Sequence, residues 1–234
     1  MNATPVVTLS DSIYSNGYGS YTSSAGDVNG DNYDDVIVGA PGYFVGLYGQ
    51  AYVYLGNSTG LTTTPAITLT GAGNQFGFNV STAGDVNSDG YDDVILSARD
   101  DPSLSFGQAY LYSGGPGGLS DVPAAIFPSN SGLGFPLATA GDVNTDGYAD
   151  VLIGSAGQAS VYLGGPAGLN LAPVVKITLQ VDSPPEISVA TAGDTNGDGY
   201  SDILIGTPSY GLGGRAYSYL GTMIYQLYLP LTMR

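Results

Sequence analysis

The sequence predicts an all-β fold, a β-propeller of four four-stranded blades, and three observations carry that prediction. Charged residues make up only 10% of the 234, while Gly reaches 37 and Tyr 19. That composition suits short strands joined by tight turns, whereas amphipathic helices place Glu, Lys and Arg on their wet face. One unit recurs four times, its Ala-Gly-Asp triplets setting Asp27, Asp85, Asp142 and Asp194 at spacings of 58, 57 and 52 residues. Within each unit the apolar residues alternate with the period of strands. Four antiparallel strands in such a period make the blade of a propeller; a sandwich of about sixteen strands has no need of a fixed period.

The elements follow one order in every unit. A strand led by Pro covers Pro5 to Leu9, and again Pro65 to Leu69, Pro123 to Phe127 and Pro173 to Thr178. Small residues such as Ser23, Ser24 and Ala25 then lead into an Asp-rich loop, and an aliphatic strand leaves it: Val36-Ile37-Val38, Val94-Ile95-Leu96, Val151-Leu152-Ile153 and Ile203-Leu204-Ile205. The last strand is the segment Gly49 to Gly56, with its counterparts Gly107 to Gly114, Gly157 to Gly164 and Gly214 to Gly221, which alternates Ala, Val or Leu on one face with Tyr on the other. These landmarks divide a single domain over residues 1–221 into units of about 5–61, 62–120, 121–171 and 172–221, followed by an extra strand or tail over 222–234. In that tail Ile224, Leu227, Tyr228 and Leu229 read as one more strand between Met223 and Leu231. One strand is then surplus, which predicts that a terminal strand is exchanged between subunits.

Composition also excludes function classes. With no His, no Cys, one Lys (Lys176) and one Glu (Glu186), neither a Ser-His-Asp triad, a Cys nucleophile nor a His-ligated zinc can be assembled. The chain reads as non-enzymatic. A net charge of -16 repels a phosphate backbone, so nucleic acid is excluded and an anionic membrane surface is disfavoured. No apolar run reaches the 18 or so residues that cross a bilayer, so no membrane insertion is expected. Met1 to Ser10 lacks the basic start and apolar stretch of a secretory leader. The chain therefore reads as a mature form or as a piece of something longer.

The chemistry lies in the Asp-rich loops. Each copy carries Asp-x-Asn-x-Asp-(Gly or Asn)-Tyr-x-Asp: Asp27, Asn29, Asp31, Tyr33 and Asp35; Asp85, Asn87, Asp89, Tyr91 and Asp93; Asp142, Asn144, Asp146, Tyr148 and Asp150; Asp194, Asn196, Asp198, Tyr200 and Asp202. Oxygens at positions 1, 3 and 5 can converge on one concavity. The sixth residue (Asn32, Gly90, Gly147, Gly199) turns the chain, the Tyr offers its backbone carbonyl, and the ninth-position Asp supplies the last carboxylate. Where a helical calcium hand needs Glu at position 12 stand Val38, Leu96, Ile153 and Ile205, so each loop must run into a strand. Asp, Asn and Gly also form ordinary turns. Against that reading, 14 of the 20 acids crowd into these loops, Asp34 and Asp92 included, and repel unless a cation sits between them. Flexible oxygen donors favour Ca2+, four per chain, over the tight octahedron of magnesium.

Phe76-Gly77 before one loop, Val38-Gly39-Ala40-Pro41 after another, and the loop type between them resemble the FG-GAP repeat of integrin alpha-subunit propellers and related bacterial surface proteins. The resemblance covers about Pro5 to Gly221 and implies calcium loops that brace blades on one face of a propeller, in extracellular proteins of adhesion or scaffolding. Unit 1 departs with Tyr18-Gly19, unit 3 with Leu133-Gly134 and unit 4 with Pro185-Glu186, and Gly-Ala-Pro stands only in unit 1.

The function expected is a calcium-stabilised extracellular or cell-surface module of structure, adhesion or assembly. Its partner would be itself, as a homo-oligomer or filament, or another surface protein or glycan. A propeller lectin is the alternative, with Tyr52, Tyr54, Tyr110, Tyr112, Tyr162, Tyr217 and Tyr219 as sugar platforms against their ordinary use in packing between blades. A calcium-dependent hydrolase or lyase would have only Arg99, Asp100 and Asp101 as unusual charges outside the loops.

Overall fold

The computed structural model of the chain describes residues 4–11, 16–42, 48–71, 75–99, 107–128, 136–155, 157–179, 187–210 and 213–222. Blade 1 is built from β1 (Tyr21–Gly26), β2 (Asp35–Ala40), β3 (Gln50–Tyr54) and β4 (Ile67–Thr70), hydrogen-bonded in that order. Blade 2 repeats it with β5 (Phe76–Gly84), β6 (Asp93–Ala98), β7 (Gln108–Tyr112) and β8 (Ala125–Pro128). Blade 3 does so with β9 (Leu137–Gly141), β10 (Asp150–Ser155), β11 (Gln158–Tyr162) and β12 (Val175–Thr178). Blade 4 has three strands among the described residues, β13 (Ser188–Gly193), β14 (Asp202–Tyr210) and β15 (Gly213–Tyr219). All neighbours are antiparallel, as hairpin-linked strands must be.

Two sequence expectations need correction. The Pro-led strand closes the sheet of the unit before it rather than opening its own: β4 pairs with β3, Val53 opposite Ile67 and Gln50 opposite Thr70. Proline has no N–H for the ladder, so pairing starts after it, with the Ala66 N–H donating to the Val53 carbonyl at 2.8 Å. Pro5 to Leu9 is not a strand here, although Leu9 packs on Val38, Ala40, Tyr52 and Tyr54. Met223 to Leu231, Asp100, Asp101, Leu133-Gly134 and Pro185-Glu186 lie outside the described residues.

The core is a series of layers between blades. One face of blade 1, with Ile37, Ala51, Val53 and Leu69, packs on Phe76, Leu96, Tyr110 and Tyr112 of blade 2. Blade 2 in turn packs on blade 3 through Ile95, Leu111 and Phe127 against Leu137, Val151 and Ile153. Blade 3 meets blade 4 through Leu152 and Val161 against Ile203, Ile205 and Tyr217. Because a middle blade buries both faces, β6 is buried throughout and carries the continuous apolar run Val94-Ile95-Leu96 at its centre. The inner strands stack β1 on β5, β5 on β9 and β9 on β13; among the described residues no comparable packing brings β13 back to β1. No helix among the described residues is long and apolar enough to cross a membrane.

Candidate metal centre

Each Asp-rich loop joins an inner strand to the second strand of its blade, and its hydrogen bonds explain the sequence pattern. In loop 1 the carboxylate of Asp27 accepts the backbone N–H groups of Gly30 (2.7 Å), Asp31 (3.0 Å) and Asn32 (2.7 Å). Asn29 Oδ1 accepts from the Asp31 N–H at 3.1 Å and Asp31 Oδ1 from the Tyr33 N–H at 3.0 Å. The side chains at positions 1, 3 and 5 are thus turned toward one another by the loop's own amides. Loops 2, 3 and 4 repeat the wrap around Asp85, Asp142 and Asp194. In Asp194 these amides, Gly199 first, hold the carboxyl below the ordinary carboxylate range.

The wrap needs left-handed backbone at two positions. At the sixth, Asn32 has φ 68°, matching Gly90 at 90°, Gly147 at 87° and Gly199 at 91°. The fourth position was not singled out in the sequence: Gly30 and Gly197 adopt φ 75° and 77°, and Ser88 and Thr145 are held at 57° and 58°. The Gly30 and Gly197 amides also donate to the first Asp, at 2.7 Å in both loops.

The ninth-position Asp has a second role that the spacing did not reveal. Asp35, Asp93, Asp150 and Asp202 are fully buried. Asp35 Oδ2 accepts from the Val28 N–H at 3.0 Å and Oδ1 from the Gly56 N–H at 2.8 Å, tying the start of the loop to the end of β3. Asp93 joins Val86 to Gly114, Asp150 joins Val143 to Gly164, and Asp202 joins Thr195 to Gly221 in the same way. Glycine at 56, 114, 164 and 221 was legible as a landmark, and close packing is its reason: a Cβ there would lie 2.4, 2.4, 2.4 and 2.3 Å from the carbonyl oxygens of Asp34, Asp92, Ala149 and Ser201. Burial pushes Asp35 up and raises Asp93 to about 6 and Asp150 to about 7; the two amides oppose the shift without cancelling it.

The donor set fits a hard divalent cation, since each loop offers Asp and Asn oxygens and a Tyr carbonyl and holds none of the chain's Lys or Arg. Among the described residues no group of three acidic side chains is arranged about a single point as a metal requires. The amide wrap and the Asp clamp occupy the same oxygens. Asp27, Asn29, Asp31, the Tyr33 carbonyl and Asp35, with their equivalents, are the atoms that would hold a cation.

The loops also join the blades. The Asp92 N–H donates to the Asp27 carbonyl, Ala149 to Asp85 and Ser201 to Asp142, each at 3.0 Å. The Asp92 side chain accepts from the Asp27 N–H at 2.8 Å. A Cβ on Gly26 would lie 2.2 Å from that carboxylate, and the glycine of the Ala-Gly-Asp triplet has left-handed backbone in all four units, at φ 75°, 73°, 71° and 65° for Gly26, Gly84, Gly141 and Gly193. The tyrosines go to packing: Phe76 lies edge-on to Tyr110 and Tyr112 at 5.3 and 6.5 Å, Tyr18 takes the same place against Tyr52 at 5.4 Å, and Tyr217 and Tyr219 are buried. Arg99 sits 5.1 Å over the Phe78 ring.

The model of the FG-GAP-like repeat matches residues 85–153 and 142–205, and that of the FG-GAP repeat matches 20–55. The chain is 33% identical to integrin alpha-IIb of Mus musculus over 152 residues, 59% of this chain and 15% of that protein. It is 33% identical to integrin alpha-8 of Mus musculus over 154 residues (59% and 14%) and 28% identical to integrin alpha-6 of Homo sapiens over 165 residues (68% and 14%). It therefore matches about a seventh of the length of these relatives. Sheet order, blade-to-blade packing and repeated loops agree with these matches, and the chain belongs to the FG-GAP-like repeat family.

Proposed function

We propose that the chain is a calcium-stabilised, non-catalytic propeller module that works outside the cell in adhesion or assembly. The observation that carries this reading is fourfold: four loops with the same hard-oxygen donors adopt the same wrap, each beside a buried Asp with no base in the loop to balance it. A bound cation stabilises the charged carboxylates and so braces the loop on which the blade joints are built. The integrin relatives support an adhesive or structural role for the fold. Sites of extracellular-module affinity, about 0.1 mM, fill at the roughly 2 mM calcium outside cells and stay empty at cytosolic levels. The tyrosines give the lectin reading no support: Tyr110, Tyr112, Tyr217 and Tyr219 are buried between blades, and Tyr52 and Tyr54 are buried beneath Leu9 and Tyr18.

Titration calorimetry with calcium and with magnesium tests the reading. Four calcium sites per chain with weaker magnesium uptake are expected, and no calcium uptake at millimolar concentration contradicts it.

A further inference from the structure

Blade 1 and blade 4 each present one half of the joint that links successive blades. In the joint between blades 1 and 2, the Phe76-Gly77 turn enters the end of the β2–β3 hairpin. A Cβ on Gly39 would meet the Gly77 carbonyl at 2.2 Å, one on Gly49 the Phe76 carbonyl at 2.1 Å, and one on Gly77 the Gln50 carbonyl at 2.4 Å. The equivalents on blade 4 are Gly206, Gly214 and Arg215. They line an open cavity of about 540 Å³ with Ser188, Thr207 and Ala216. Gly206 and Gly214 meet only atoms of their own blade. The matching turn of blade 1 is Tyr18-Gly19, whose φ of 81° equals the 80° of Gly77 within a degree and whose Cβ direction is open.

The remaining pieces of the joint are divided in the same way. The loop bond from Asp92 to Asp27 recurs in three joints, as does a second bond from Gly115 to the Val28 carbonyl, Gly165 to Val86 and Thr222 to Val143. The corresponding donors on blade 1 are the Asp34 and Asn57 N–H groups, and the corresponding acceptors on blade 4 are the Asp194 and Thr195 carbonyls. None has a backbone partner among the described residues. Leu204 is left exposed on the same face of blade 4. Blade 4 shows no outer strand among the described residues, while Pro5 to Ser10 (PVVTLS) repeats the outer-strand segment Pro65 to Thr70 (PAITLT). Leu9 already lies on Tyr52 and Tyr54, as Leu69 lies on Tyr110 and Tyr112.

We infer that blade 4 of one copy docks on blade 1 of a second copy, Tyr18-Gly19 entering the cavity at Gly206 and Gly214 and residues 5–10 completing the sheet beside β15. The register follows from β3 and β4: Ala216 opposite Leu9 and Tyr217 opposite Thr8, as Ala51 is opposite Leu69 and Tyr52 opposite Thr68. The occupant is a second copy because one chain carries both halves, and three successive joints of one geometry do not bring β13 round to β1. Such a head-to-tail contact gives a ring where the rotation closes and a filament where it does not. The inference deepens the assembly reading above and assigns the exchanged strand to the N-terminus.

The test is light scattering on size-fractionated protein at saturating calcium over a range of concentrations. The full chain should run at multiples of 23.7 kDa that fall on dilution or close at one ring size. Gly206→Leu, whose Cβ meets only the Ser188 side chain within its own blade, should run as a single chain. Leu9→Glu should do so too, and the two variants mixed should form a 1:1 pair through the one joint left intact. A full chain of single mass at every concentration, variants that still associate, or a mixture that stays unpaired would each overturn the inference. Calcium uptake by the Gly206→Leu variant, read by calorimetry, separates failure of the joint from failure of the metal reading.

Discussion

The ninth-position aspartates decide how each loop responds to its surroundings. Asp150 accepts the Val143 N–H at 2.8 Å and the Gly164 N–H at 2.9 Å. Asp150→Asn would set an amide NH2 against one of those donors and should cost about 1–3 kcal/mol, measured by urea denaturation; unchanged stability contradicts the clamp. Burial also gives these groups a pH signature. With Asp93 raised to about 6 and Asp150 to about 7, the folded chain without metal holds protons that the unfolded chain has already released. Stability without calcium should therefore fall as pH rises from about 5 to about 8, and calcium, which favours the charged carboxylates, should flatten the slope. A metal-free melting temperature that climbs across this window speaks against the assignment. The sequence showed these aspartates as acids at fixed spacing. It could not show that they are buried, because the strand end that covers each of them lies 14 to 21 residues away.

At the scale of the loop, the fourth position tests whether local strain is relieved or only tolerated. Thr145, a β-branched residue, sits at φ 58°, where Gly30 and Gly197 stand in loops 1 and 4. Thr145→Gly should stabilise the chain by about 1 kcal/mol in chemical denaturation, the cost of left-handed backbone being about 1–2 kcal/mol before the greater entropy of Gly in the unfolded chain is set against it. A loss of stability would show that Thr145 makes a contact worth more than the strain. Each loop closes on its own residues, so Asn87→Leu should remove or weaken one calcium site and leave three in calorimetric counting; four unchanged sites would make Asn87 a spacer. The turn at Asn32 was legible because the other three units carry Gly there. The strain at Ser88 and Thr145 was not, since Ser and Thr give no hint of left-handed backbone. The phase of the blade was equally hidden: a period fixes how often a strand recurs but not which unit it hydrogen-bonds with, and the pairing of β4 with β3 settles that.

For the whole molecule, the repeat made the architecture readable because every blade buries the same positions against the next, and a shared layer demands the same residues in each unit. What held no signal was the set of residues that touch across blades, Asp92, Ala149 and Ser201 at the eighth loop position, whose chemistry varies because their backbone makes the bond. The loops that hold the candidate ligands are the same loops that join the blades, so calcium bound there would hold the stack together. Four sites of about 0.1 mM affinity at roughly 2 mM calcium contribute about 1.8 kcal/mol each, some 7 kcal/mol in all, comparable to the whole stability of an ordinary domain. The most direct measurement is the thermal melt of the full chain in calcium and in excess chelator at one pH. A melting temperature lowered by tens of degrees in chelator, and restored when calcium is returned, is the predicted result; superimposable melts would contradict it.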